Sequence, residues 1–226
     1  MKRILLLFVV AFTNIVFCNA RDRFYIKNCI DKWETCRNVA ITDKGGDIAF
    51  VGADKCAYDH IPTNLAKQID NLNDSAYYIN DIQLSEKGRW FISYGDGLMR
   101  WHKIPAMLKS CLYELIAERH TIKSVTFNDH SDWIVVYDNG QVRSSFSRME
   151  DWVKDGSAKH GALRFAQINN EGMILAFERG YMYLGNVSQK LKNALREAPF
   201  DVTVIKFTPE GAYFIGDQKG NSAIYM

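Results

Sequence analysis

The chain has 226 residues, 28 Lys+Arg against 26 Asp+Glu, and 47% hydrophobic residues. That length suits one ordinary domain with a sizeable core. The formal charge is only +2 and both signs alternate without any basic block, which argues against nucleic-acid and anionic-membrane partners.

In chain order, a leader comes first. Lys2 and Arg3 precede an apolar run over residues 4–17, followed by Cys18, Asn19 and Ala20. A basic start, a short apolar stretch and small residues before the cut predict a secretory signal peptide over residues 1–20. The apolar run is 14 residues long, short of the ~18 that a spanning helix requires. Cleavage predicts a secreted or periplasmic chain, residues 21–226, with no membrane span. Lys2 and Arg3 leave with the leader, so the remaining charges balance at zero. Four cysteines remain: Cys29, Cys36, Cys56 and Cys111. An even number in an exported chain predicts disulfides. Cys29 with Cys36 and Cys56 with Cys111 is the favoured pairing of three. The rival reading makes Cys111 a small buried hydrophobe on a helix face.

Residues 36–226 then repeat one pattern. A polar turn precedes each of Ile48, Trp90, Trp133, Ile174 and Tyr213, at steps of 42, 43, 41 and 39 residues. The turns read DKGGD, EKGR, DHSD, NEGM and PEGA. Upstream of each, apolar residues alternate, as in Ile82 and Leu84 or Val125 and Phe127, which predicts a strand. Each anchor opens a second strand. A further turn glycine follows in four copies (Gly97, Gly140, Gly180, Gly220), then a third short strand. A helix closes the unit. It opens with Ile61-Pro62 and Ile104-Pro105 in the first two copies, where proline's missing N–H is not needed. Apolar residues recur at helical spacing in Ile61, Leu65, Ile69 and Leu72 and again in Ile104, Leu108, Cys111 and Leu115. The third helix is expected to be short, ended by Gly156. The predicted units are about 36–78, 79–121, 122–161, 162–201 and 202–226. The last has no helix, and residues 21–35 are expected to supply its missing outer element.

A fixed period near 40 of strand-rich units resembles a β-propeller. A helix replaces the fourth strand, and in this the chain is similar to the αβ-propellers of the pentein group. The Gly-x-Trp and Ile-Pro pattern also resembles repeats in uncharacterised exported bacterial proteins. It lacks the Gly-His and Trp-Asp signatures of WD40 blades. The resemblance implies a mainly β fold with helices: a closed five-bladed propeller-like ring, each blade three antiparallel strands plus an outer helix. The rival is an open ββα solenoid, which needs polar caps that the apolar end GNSAIYM does not supply.

No phosphate loop, nucleophile elbow, His-Glu-x-x-His or Cys-x-x-Cys occurs, and no metal or cofactor is expected. Catalytic penteins use a cysteine near the chain's end, whereas no cysteine here follows Cys111. Tyr58 and His60 in one unit, and Trp101 and His102 in the next, pair aromatic faces with polar groups, which suits sugar or peptide binding. Their blander reading is strand-to-helix packing. In the third unit Asp129, His130 and Asp132 surround a turn that has lost its glycine, a weak acid–base or metal signal beside the ordinary reading of a solvated turn. The expected function is an exported, non-enzymatic binding module for an unknown protein or glycan. The alternative is a carbohydrate-active hydrolase with two axial carboxylates.

Overall fold

The structure is a computed structural model that describes residues 24–52 and 55–226. The expected signal peptide lies outside the described residues. Helix α1 (Phe24–Trp33) leads into five repeated units of three antiparallel strands. The first holds β1 (Asn38–Ala40), β2 (Asp47–Val51) and β3 (Lys55–Asp59), followed by α2 (Thr63–Asp74). The second holds β4 (Ile79–Leu84), β5 (Trp90–Tyr94) and β6 (Leu98–His102), followed by α3 (Ala106–Ala117). The third holds β7 (Ile122–Phe127), β8 (Trp133–Tyr137) and β9 (Gln141–Ser144), followed by α4 (Met149–His160). The fourth holds β10 (Leu163–Ile168), β11 (Gly172–Phe177) and β12 (Gly180–Gly185), followed by α5 (Gln189–Glu197). The fifth ends the chain with β13 (Val204–Phe207), β14 (Tyr213–Gly216) and β15 (Ser222–Tyr225). Every sheet is a separate meander with its strands in sequence order.

The hairpin turns explain the meanders. Gly88, Gly140, Gly211 and Gly220 all have φ between +72° and +95°, a region open to glycine at little cost. The middle strand of each sheet is buried on both faces, so it reads as an apolar run: WFISY, WIVVY and GMILAF. Ile48, Phe91, Ile134, Ile174 and Phe214 are at most 1% exposed.

Each helix fills the space between two neighbouring sheets. Leu65, Ile69 and Leu72 of α2 join Ile48 and Phe50 of the first sheet to Ile82, Trp90 and Ile92 of the second. Helix α3 does the same for the second and third sheets, α4 for the third and fourth, and α5 for the fourth and fifth. Ile26 and Ile30 of α1 pack against Val39 and Ala49 of the first sheet and against Val204 and Phe214 of the last. Helix α1, the first sheet and the last sheet therefore share one apolar cluster. The Cys36 N–H also donates to the Gly220 carbonyl at 3.1 Å.

Three expectations are corrected. Helix α4 runs through Gly156 and stops only at Gly161, which has φ +86°. A Cβ on Gly156 would lie 2.1 Å from Cζ of Phe177, so this glycine lets the helix approach a ring rather than ending it. The anchors Ile48 and Ile174 are each one residue off. In the fourth unit Met173 stands opposite Ile168, because the turn is shorter. In the first unit Ile48 is already opposite Ala40, so the place nearest the turn belongs to Asp47. Its buried carboxylate accepts the Thr42 N–H at 3.2 Å. Finally, all four described cysteines are free thiols. Cys111 sits between the second and third sheets, and Cys56 packs between the first and second, where its sulfur accepts from Asn73 at 3.1 Å. Cys29 and Cys36 share the α1 cluster without bonding. Burial pushes the Cys36 thiol up to about 12.

Candidate functional site

Asp129, His130 and Asp132 lie in the third unit's first hairpin, and the turn's own hydrogen bonds account for most of them. Oδ1 of Asn128 accepts the N–H groups of His130 and Asp132, both at 3.0 Å. Oδ2 of Asp132 accepts from Nδ2 of Asn128 at 3.0 Å. Asp129 instead reaches the preceding unit, where Oδ1 accepts the Lys87 N–H at 3.3 Å. The same link recurs around the molecule. Glu86 accepts the N–H groups of Asp43 and Lys44 at 2.5 and 3.1 Å. Asn170 accepts the Asp129 N–H at 3.0 Å. Asp43 accepts the Glu210 N–H at 3.2 Å, tying the last unit to the first. In the fifth unit the acceptor's place is taken by Pro209, which has no acceptor side chain. Burial raises the Glu86 carboxyl, opposed by the two backbone N–H groups it accepts.

Beside these turns, polar side chains from different units meet. Gln83 and Gln167 bond amide to amide at 3.2–3.3 Å. Nζ of Lys206 donates to Oδ1 of Asp81 and to the Ile82 carbonyl, both at 2.8 Å. Burial pulls the Lys206 ammonium below the ordinary lysine range, and Asp81 opposes the shift. The cavity beside them measures 40 Å³. That suits a few waters and not a sugar ring.

The aromatic candidates lie on the outer strands. Tyr58 pairs with Ile48 on β3 and Trp101 with Phe91 on β6, so they occupy matching places in the two units. Their surroundings differ. The Tyr58 hydroxyl donates to Asp70 of α2 at 3.0 Å, which ties strand to helix. His60 sits in the following turn with φ +51° and its Nδ1 2.9 Å from Asp59. In the second unit the groove is open and measures 450 Å³. Trp101 meets Tyr113 of α3 edge-on, with centroids 5.6 Å apart. His102 stacks on the buried Trp90 at 6.0 Å. Nε1 of Trp90 donates to Asn64 at 3.4 Å, and Arg100 donates to the Gln68 side chain and to the Tyr94 hydroxyl. The groove thus combines aromatic edges and faces with a guanidinium and two amides.

The structure therefore places the candidates in three separate regions: Trp101 with His102, Tyr58 with His60, and the Asp129–Asp132 turn. Sequence reading missed Asn64, Gln68, Arg100 and Tyr113. A signal was present in α3, whose buried Leu108, Cys111, Leu112 and Leu115 are accompanied by exposed Met107, Tyr113 and Ile116. One apolar stripe would have sufficed for packing.

A second polar cluster also went unread. His120 has Nδ1 2.6 Å from Asp138 and Nε2 3.3 Å from Glu118. Arg143 bridges Glu118 and Glu114 at 3.1 and 2.8 Å. Asp138 is held below the ordinary carboxylate range by the Thr121 N–H and then by His120. These bonds fasten α3 to the third sheet. Among the described residues no group of three metal-ligating side chains converges. The sequence matches no protein-family model and no curated protein.

Proposed function

We propose that the chain is an exported, non-enzymatic binding module, with five units closed into a propeller-like ring and the outer face of the second unit as its contact surface. One observation carries the binding reading. Among the described residues seven large apolar side chains are exposed, and five of them, Tyr77, Leu98, Met107, Tyr113 and Ile116, lie on or beside the second unit. A concentration of exposed apolar surface next to an aromatic groove is the usual mark of a recognition site for a protein or glycan. Ring closure draws support from α1, which packs on both the first and last sheets, and from the turn bond between Glu210 and Asp43. Export rests on the leader at residues 1–20.

The hydrolase reading gains nothing from the axial groups. Glu86 and Asp129 spend oxygens on backbone N–H groups, and Asp81 is paired with Lys206. Glu86 and Asp129 border a cavity of only 40 Å³, and Asp81, on the wall of a 360 Å³ cavity, is held by Lys206.

The test compares residues 21–226 with its Trp101→Ala and Tyr113→Ser variants. Each is immobilised and exposed to envelope and medium fractions of the source cell and to a glycan array. A saturable ligand that weakens about tenfold or more in both variants, with thermal unfolding unchanged in Tyr113→Ser, is expected. A ligand that binds parent and variants equally would place recognition elsewhere. Turnover of a glycoside panel by the parent would replace the binding reading with an enzymatic one.

A further inference from the structure

Another groove measures 570 Å³ and shares no residue with the Trp101 groove. It runs between β12, α5 and the segment entering the fifth unit. Tyr181 and Tyr183 stand two residues apart on β12, and so on one face of the strand. Their ring centroids are 6.2 Å apart and their planes differ by 28°, a near-parallel stacked pair. Both rings are half-buried against the core, which fixes them. Burial raises both phenols, Tyr183 to about 12, so they remain neutral hydrogen-bonding groups.

The groove is also cationic. Arg179, Lys192, Arg196 and Arg164 line it, against Glu178 and Asp201. Arg164 grips Asp201 through both guanidinium nitrogens at 2.6 and 3.0 Å, so this pair cancels. Arg179 and Lys192 have no ion-pair partner among the described residues, and Nζ of Lys192 lies 5.4 Å from the Tyr183 ring centre. Arg196 uses one nitrogen on Asn193 and Glu197 and is otherwise exposed. With the Arg164–Asp201 and Arg196–Glu197 pairs set aside, two cations, Arg179 and Lys192, face one acid, Glu178.

We propose that this groove binds an acidic sugar: a pyranose bearing a carboxylate or sulfate, its ring face on Tyr181 and Tyr183 and its anion beside Lys192. The stacked tyrosine pair supplies the aromatic contact that a sugar ring face accepts. The cations supply the charge complement, and the Gln189 side chain on the groove wall can bond a ring hydroxyl. An extended acidic peptide would use the charges but has no need of the paired rings.

Titration calorimetry at low salt tests this, with the exported chain and three probes: oligogalacturonate, oligoglucuronate and a sulfated galactan oligosaccharide. At least one should bind. Methyl-esterified oligogalacturonate and a polyglutamate of equal charge serve as controls and should bind at least about tenfold more weakly. The double variant Arg179→Gln/Lys192→Gln should weaken the bound probe about tenfold or more and flatten its salt dependence. Tyr183→Leu should weaken it similarly, whereas Trp101→Ala should leave it unchanged. Failure of all three probes overturns the proposal. Equal binding of polyglutamate overturns it in favour of an acidic-peptide site. Unchanged binding in the double variant overturns it as well.

Discussion

Lys206 carries its ammonium in the middle of the molecule with a side chain only 6% exposed, and Asp81 opposite it is 24% exposed. Such a pair gives little net stability, but breaking it leaves one charge without its partner. Lys206→Met is therefore expected to destabilise by about 2–3 kcal/mol, below the range for fully buried pairs because water reaches Asp81. Adding Asp81→Asn should recover most of that loss, as read from urea midpoints of the single and double variants. Cys36 predicts a pH effect. An unfolded thiol ionises near pH 9, whereas the buried Cys36 keeps its proton to about 12. Unfolding releases a proton throughout that window. The contribution is complete below pH 9 and is lost as the pH climbs towards 12. Cys36→Ala should flatten the fall in stability between pH 9 and 12, whatever its absolute cost. An unchanged slope would mean that the thiol is not protected. Neither residue was legible in advance. Lys206 occupies the inward position of its strand, where an apolar pattern gives no sign of a buried cation, and Cys36 looked like half of a disulfide.

At the scale of elements, α4 sets two glycine effects against each other. Glycine inside a helix usually costs about 1 kcal/mol against alanine. Here the added methyl meets Phe177, itself 2% exposed and unable to retreat. Gly156→Ala is expected to destabilise by about 1–3 kcal/mol despite the better helix former. Phe177→Leu in the same chain should relieve part of the clash. Stabilisation by Gly156→Ala alone, in a urea titration, would show that α4 can shift away. The strands and helices were readable because turns and periodicity are local properties of the chain. Gly156 misled because its reason is a ring on the next sheet. The side-chain links between turns were hidden for the same reason. Glu86 and Asp129 looked like solvated turn acids, and their acceptor roles became visible only with the neighbouring unit in place, 42 or 43 residues away.

For the whole molecule, α2 to α5 each join two neighbouring sheets, and α1 packs on both the first sheet and the last. Deleting residues 24–35 should expose the apolar faces of Val39, Ala49, Val204 and Phe214 together. Loss of cooperative urea unfolding is expected, with broad, non-coincident transitions by circular dichroism and tryptophan fluorescence. A truncated chain that unfolds at the parent's midpoint would argue for an open array. The repeat itself was legible from spacing alone. The two grooves were not, because each depends on which outer positions a unit leaves polar, aromatic or bare.

The seating of α1 has a consequence for how the molecule is made. Synthesis runs from the N-terminal side, so this helix is made before all five sheets. Half of its partners, Val204 and Phe214, belong to the last sheet to arrive. Until the C-terminal strands follow, α1 can dock on only one side, and the loop it must close spans almost the entire chain. The helix is made before the fifth sheet and completes its seat only once that sheet is in place.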